Sequence, residues 1–144
     1  MQKLIMFSLF IALMVGACKK EVVAPAPTSA EILQSKIWKL STVTEGGAAV
    51  ALSTCQTDDK FTFSASGSFE QNYGTTKCNS QIQNSFTGNW TVDDTKKILK
   101  IVSALKTYEY TIKSISSSSY VLSYENTTLS GGTKLVEETY VPAQ

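Results

Sequence analysis

Apolar and polar residues alternate along most of the chain after its first forty residues. Phe61 and Phe63 flank one polar residue, residues 64–67 have the composition of a turn, and alternation resumes from Phe69 to Tyr73. A period of two indicates strands with one buried face, and the glycine at the end of the turn can adopt the positive φ of a short hairpin loop. This stretch therefore predicts a β-hairpin.

The same period continues to the end of the chain. It predicts seven or eight strands, over residues 37–43, 60–64, 68–73, 85–92, 97–102, 107–115, 120–125 and 134–141. The connections are too short for crossover helices, so each strand should pair antiparallel with the next. Closing the sheet removes its exposed edges, which predicts an all-β fold, an eight-stranded antiparallel up-and-down barrel. A short helical turn follows Ser29, its predicted N-cap, and could plug one barrel end.

Aromatic residues dominate the face that should point inward. They are Trp38, Phe61, Phe63, Phe69, Tyr73, Phe86, Trp90, Tyr108, Tyr110, Tyr120 and Tyr124. An eight-stranded barrel is just wide enough for its own side chains or for one small ligand, so a filled core and a small pocket are both open. The candidate ligand-binding residues are Trp38, Phe61, Phe63, Phe69, Tyr73, Trp90, Tyr108 and Tyr110.

The first residues have the pattern of an export signal. Lys3 gives a basic start, residues 4–14 are apolar, and small residues at 15–17 precede Cys18. This ending resembles a bacterial lipobox, in which the cysteine carries acyl chains such as palmitate and becomes the first mature residue. A plain secretory signal or a membrane anchor is the alternative, although the apolar run is shorter than the roughly 20 residues that a spanning helix needs. We expect a signal peptide over 1–17, a flexible tether over 18–28 and a barrel domain over 29–144, held at the outer membrane by its N-terminal lipid.

The cysteine count fits an exported protein. Of the three cysteines, Cys18 is assigned to lipid, which leaves Cys55 and Cys78 just outside the two ends of the predicted hairpin. An oxidising compartment favours a disulfide between them, with two buried thiols as the alternative. A disulfide that closes a loop of this size stabilises a fold by about 3 kcal/mol.

Composition excludes several kinds of chemistry. The chain has no histidine, which removes the usual catalytic triads and histidine metal sites. It has no arginine and is almost neutral, so nucleic acid is not expected as a partner. The pairs Asp58–Asp59 and Asp93–Asp94 are favoured as strand-entry and turn residues over a carboxylate pair acting on a glycoside. We expect no catalytic residue, metal or cofactor.

Several of these residues together resemble a known family. They are the Trp38-Lys39-Leu40 run, Cys55, Asp58, Asp59, Phe61, Phe63, Gly67, Phe69, Cys78, the Gly88-Asn89-Trp90 run, Leu99 and Ile101. Their order and spacing are similar to those of the bacterial lipocalin-like lipoproteins over residues 37–141. The resemblance implies an eight-stranded calycin-type barrel whose cavity takes a small hydrophobic ligand. The sequence departs from vertebrate-type lipocalins, in which an arginine covers the first-strand tryptophan, because this chain has no arginine.

Two functions remain open at this point. One is a membrane-anchored barrel that binds a small hydrophobic ligand. The other is a solid barrel that acts as an inhibitor or a protein-interaction module through loops such as 45–54 and 126–133, with a protein partner that is not identified.

Overall fold

The computed structural model describes residues 24–79, 83–127 and 131–144. The predicted signal peptide, the lipidation of Cys18 and the start of the tether fall outside these ranges and stay predictions. The elements are α1 (Ser29–Gln34), β1 (Trp38–Glu45), β2 (Ala48–Val50), α2 (Thr54–Thr57), β3 (Lys60–Phe63), β4 (Ser68–Asn72), β5 (Ser85–Asp93), β6 (Ile98–Val102), β7 (Thr107–Ile115), β8 (Tyr120–Thr127) and β9 (Thr133–Pro142). No helix within the described ranges has the length and hydropathy to cross a bilayer.

The sheet closes on itself. From β3 to β9 each strand pairs antiparallel with the next, and β1 pairs with β9 along its whole length. A single pair, Trp38 with Phe61, joins β1 to β3 and completes the eight-stranded barrel. The predicted antiparallel barrel is confirmed, because short connections leave each strand no partner other than its sequence neighbour.

One strand was not predicted. After Trp38, β1 leaves β3 and pairs with β2 instead, with Val43 opposite Val50. Gly46 and Gly47 have φ of +58° and +83°, which a hairpin of this kind requires between β1 and β2. The segment 45–54, predicted to be a loop, therefore contains β2 and the turn that joins it to β1. The wall between β1 and β3 is joined at one end alone, and α2 packs against β1 beside the gap.

The central hairpin forms as predicted. Phe63 lies opposite Phe69, and Phe61 lies opposite Gln71. Gly67 has a φ of +85°, and the backbone N–H of Ser64 donates to the carbonyl of Ser68 at 2.8 Å. The glycine supplies the left-handed conformation that the tight connection needs.

The N-cap prediction for α1 was wrong by one residue. Thr28, not Ser29, caps the helix: its Oγ1 accepts from the backbone N–H of Glu31 at 3.2 Å, and the Glu31 carboxylate accepts from the Thr28 N–H at 2.7 Å. This reciprocal capping box satisfies the backbone donors at the helix start. The same backbone bond from Thr28 lowers the pKa of the Glu31 carboxyl. Leu33 of α1 is fully buried, so the helix does close one end of the barrel.

The two ends of the barrel differ. We call the end with α1, Trp38 and the turn between β3 and β4 the closed end, and the opposite end, with α2 and the connection from β4 to β5, the mouth. At the closed end the Trp38 ring is fully buried and meets the Tyr120 ring edge to face at 4.9 Å. Its Nε1 donates to the carbonyl of Leu33 at 2.9 Å. Tyr120 and α1 thus cover the Trp38 ring.

Candidate functional site

A cavity of about 360 Å³ lies inside the barrel and opens at the mouth. Its apolar wall is formed by side chains from five strands: Leu40, Phe61, Phe63, Phe69, Ile101 and Leu122. These residues point inward because they occupy alternate positions on strands of one closed sheet. The interior is therefore not solid, although the closed end is filled by aromatic rings. Both alternatives from the sequence are present in one barrel: a filled core at the closed end and a cavity toward the mouth.

Six of the eight candidate ligand-binding residues lie on the cavity wall. They are Phe61, Phe63, Phe69, Tyr73, Tyr108 and Tyr110. The other two, Trp38 and Trp90, are buried at the closed end and do not line the cavity. Trp90 donates its Nε1 hydrogen to the carbonyl of Ser64 at 3.1 Å and packs against Phe63 at 5.2 Å. Both indoles have their one polar atom bound to backbone, so they complete the floor of the barrel.

A carboxylate and a group of tyrosines form a polar cluster on the wall. Glu138, on β9, accepts from the Tyr124 hydroxyl at 3.0 Å and from the Tyr140 hydroxyl at 2.6 Å. Tyr120 stacks on Tyr140 at 4.5 Å, and Tyr110 meets Tyr124 edge to face at 5.5 Å. Burial, and then the negative charge of Glu138, raises the pKa of all four phenols, so they stay neutral. Both oxygens of Glu138 have partners within the protein.

A second carboxylate reaches the wall from the start of β3. Asp59 is 6% exposed, and its Oδ2 accepts from Gln71 Nε2 at 2.9 Å. Its Oδ1 is buried and has no hydrogen-bond partner among the described residues. Burial raises the pKa of the Asp59 carboxyl, and the nearby negative charge of Asp58 adds to the rise. Asp59 directly precedes β3, as predicted, and its side chain also lines the cavity.

The family follows from this barrel together with the sequence. A family model described as a lipocalin-like domain matches residues 35–133, more than two thirds of the chain. The chain belongs to the lipocalin-like family. Glu138 and Tyr140, on the last strand of this lipocalin-like barrel, lie beyond the matched residues and contribute polar groups to the cavity wall. A comparison with curated proteins found no match.

The predicted disulfide is present at the mouth of the lipocalin-like barrel. Cys55 in α2 is bonded to Cys78 in the connection after β4, with 5.1 Å between their Cα atoms. Both cysteines line the cavity, as does Lys77, whose Nζ donates to Asn84 Oδ1. The disulfide therefore joins two mouth segments, in addition to tying the open end of the hairpin.

Asp58 holds the same mouth segment from the other side. Its Oδ2 accepts from the backbone N–H groups of Thr75 and Thr76, both at 2.9 Å. These bonds, with that of Thr76 the largest effect, lower the pKa of the Asp58 carboxyl. Asp58, predicted as a strand-entry residue, thus bonds backbone groups 17 and 18 residues away. Asp93, predicted as a turn residue, accepts from the N–H groups of its own turn.

Two polar wall residues were missed from the sequence, although a signal for both exists. Asp59 precedes Phe61 by two positions, and Glu138 lies two positions before Tyr140. A period of two places each of them on the inward face together with its aromatic neighbour. Because carboxylates are polar, an alternation of apolar residues does not indicate that these two point inward.

Proposed function

We propose that this lipocalin-like protein binds a small, mainly hydrophobic molecule in the barrel cavity. The observation that carries the proposal is a cavity of about 360 Å³, open at the mouth and walled by aromatic and aliphatic side chains. Ligand pockets of proteins span about 300–1,000 Å³ and combine an apolar wall with a few placed polar groups. Asp59, Glu138 and the wall tyrosines are such groups.

The proposed ligand is small. Aromatic rings already occupy the closed end, so the space that remains lies between the middle of the barrel and the mouth. A bound molecule would pack against Phe61, Phe69 and Ile101, and exclude water from their surfaces. Members of the lipocalin-like family are generally binding proteins, and no catalytic step is proposed.

A matched pair of variants tests the proposal. Ile101 lines the cavity and is 6% exposed, whereas its neighbour Val102 points outward and is 41% exposed. Ile101→Phe adds volume inside the cavity, and Val102→Phe adds the same ring outside. We expect an environment-sensitive apolar dye to bind the wild type and Val102→Phe, and to bind Ile101→Phe at least about tenfold more weakly.

Two results would contradict the proposal. One is a wild type that does not bind the dye or any other small apolar probe. The other is equal affinity in all three proteins, which would place the dye outside the cavity. Native mass spectrometry of protein purified from its own host supplies an independent check, because a retained ligand adds a defined mass.

We further propose that Cys18 carries the lipid that holds the protein at the outer membrane. The lipobox-like ending supports the lipid, and Lys19 stands where an aspartate would favour retention at the inner membrane. Two or more acyl chains anchor a protein stably. The tether would join the barrel through α1 at the closed end, opposite the mouth. Cys18→Ser should move the protein from the membrane fraction to the soluble fraction; a variant that stays with the membrane argues against the lipid.

A further inference from the structure

We infer that the ligand of the cavity carries a hydrogen-bond donor, best a protonated amine, which binds the Oδ1 atom of Asp59. This inference deepens the proposed function and rests on it. It names the polar group of the ligand, the wall atom that meets it and the charge that the cavity prefers.

Asp59 has a buried oxygen, Oδ1, without a hydrogen-bond partner among the described residues. Buried polar atoms in folded proteins nearly always have hydrogen-bond partners, and a buried carboxylate oxygen without one is costly. Gln71 engages Oδ2 of Asp59, whereas Oδ1 has no partner in the part of the chain that the structure describes. Asp59 is more than nine-tenths buried and lies on the cavity wall. Its Oδ1 is covered in the ligand-free barrel, so a donor bound in the cavity would meet this oxygen once the carboxyl group rotates toward the ligand.

The two wall carboxylates differ in how many of their oxygens accept hydrogen bonds from the described residues. Both oxygens of Glu138 accept hydrogen bonds from tyrosines on its own and the neighbouring strand, so its needs are met within the barrel. Asp59 has one donor for two oxygens among the residues described. It is therefore Asp59, and not Glu138, that offers an acceptor to a ligand.

The charged groups on the wall favour a cation. Among the described residues the wall includes two carboxylates, Asp59 and Glu138, and one lysine, Lys77, which already donates to Asn84. Asp58 lies beside Asp59 and adds negative potential. A cationic group gains from this field, whereas an anionic group such as a fatty-acid carboxylate is repelled by it. A charged hydrogen bond is also stronger than a neutral one.

The position of Asp59 sets the orientation of the ligand. Asp59 lies at the mouth end of β3, and Phe61 and Phe63 lead from it toward the closed end. A ligand with a donor at one end and an apolar body would place its head beside Asp59 and its body deeper in the barrel. The site therefore favours a small amphipathic amine.

The test uses three probes with the same chain and different heads. Octylammonium, octanol and octanoate are titrated by calorimetry into the intact wild type, Asp59→Asn and Glu70→Gln. Asp59→Asn is isosteric and can still accept from Gln71. Glu70→Gln makes the same change on the exposed outer face of the next strand. We expect the wild type to bind octylammonium most tightly and octanoate most weakly.

The variants locate the preference. Asp59→Asn should weaken octylammonium binding at least about tenfold, the loss expected for a hydrogen bond to a charged group, and should change octanol binding little. Glu70→Gln should leave all three affinities unchanged. Thermal melting of each protein shows that the variants are folded.

Each other outcome overturns the inference. If octanoate binds most tightly, Lys77 and not Asp59 selects the head group. If octanol binds but octylammonium gains nothing, or Asp59→Asn and Glu70→Gln act alike, the ligand site survives and the role of Asp59 does not. If no probe binds, the proposed function fails as well. Should Asp59→Asn not fold, the order of the three wild-type affinities decides.

Discussion

Replacing Asp59 with asparagine should stabilise the ligand-free protein. The carboxylate is 6% exposed, has one hydrogen-bond donor and leaves Oδ1 buried without a partner among the described residues. Asparagine fills the same volume and can keep the bond from Gln71, but it carries no charge. The substitution therefore removes the cost of a partly satisfied buried charge and leaves the packing of the wall unchanged.

The size of the effect follows from that cost. A buried polar group without a partner costs about 1–3 kcal/mol, and more when it is charged. The amide nitrogen of asparagine would itself lack a partner, so part of the cost remains, and we expect a net gain of about 1–2 kcal/mol. For a domain of this size each kcal/mol raises the melting temperature by about 4 °C, which gives a rise of about 4–8 °C.

The gain should depend on pH with a defined sign. Burial raises the pKa of the Asp59 carboxyl in the folded protein, so the folded state binds this proton more tightly than the unfolded state does. The wild type therefore loses stability as the pH rises through the folded pKa. The advantage of Asp59→Asn is full above that pKa and should disappear as the pH falls toward about 4, the unfolded value.

Thermal unfolding followed by circular dichroism at several pH values measures this difference. Backbone hydrogen bonds from its own turn, chiefly that of the Lys96 N–H, lower the pKa of the Asp93 carboxyl, so its charge stabilises the folded state. Asp93→Asn is therefore the control substitution. It should not stabilise the protein at neutral pH. A melting temperature of Asp59→Asn at or below that of the wild type at pH 7 would refute the reasoning, as would a gain that is constant with pH.

Three further changes test the barrel itself by thermal or denaturant unfolding. Reduction of the Cys55–Cys78 bond should cost about 3 kcal/mol, and unchanged stability would contradict its structural role. Trp38→Ala should cost about 3–5 kcal/mol because the ring is fully buried, whereas Leu105→Ala, at a side chain that is 98% exposed, should stay within about 0.5 kcal/mol; similar losses would contradict the closed end described above. Gly74→Ala should cost more than about 1 kcal/mol, because the φ of Gly74 is +61° and the added Cβ would lie 2.5 Å from the Cγ atom of Asp58. An unchanged stability would contradict this.

The sequence by itself determined the strands and their order. Alternation around Phe61, Phe69 and Tyr110 identified the inward face, and short connections left each strand its sequence neighbour as partner. The pairing of Cys55 with Cys78 followed from the assignment of Cys18 to lipid. These features are local or follow from connectivity, so a single sequence contains them.

The tertiary structure decided what the inward residues do. A period of two gives the face of a side chain but not its depth along the barrel axis, which depends on the register of all eight strands together. Register places Trp38 and Trp90 in the floor and Tyr108 on the cavity wall. Register also lets β1 pair with β2 instead of β3 beyond Trp38, which leaves the wall between β1 and β3 open near the mouth.

The chemistry of the site was decided at the same level. Asp58 and Asp59 are adjacent, identical in type and each have a buried Oδ1 without a partner among the described residues. Asp58 nevertheless binds the backbone of a distant loop, whereas Asp59 lies on the cavity wall. Asp58 is the C-cap of α2 and Asp59 directly precedes β3, so the two side chains meet different environments. The partners that distinguish them lie 12 to 18 residues away and meet them when β3 pairs with β4.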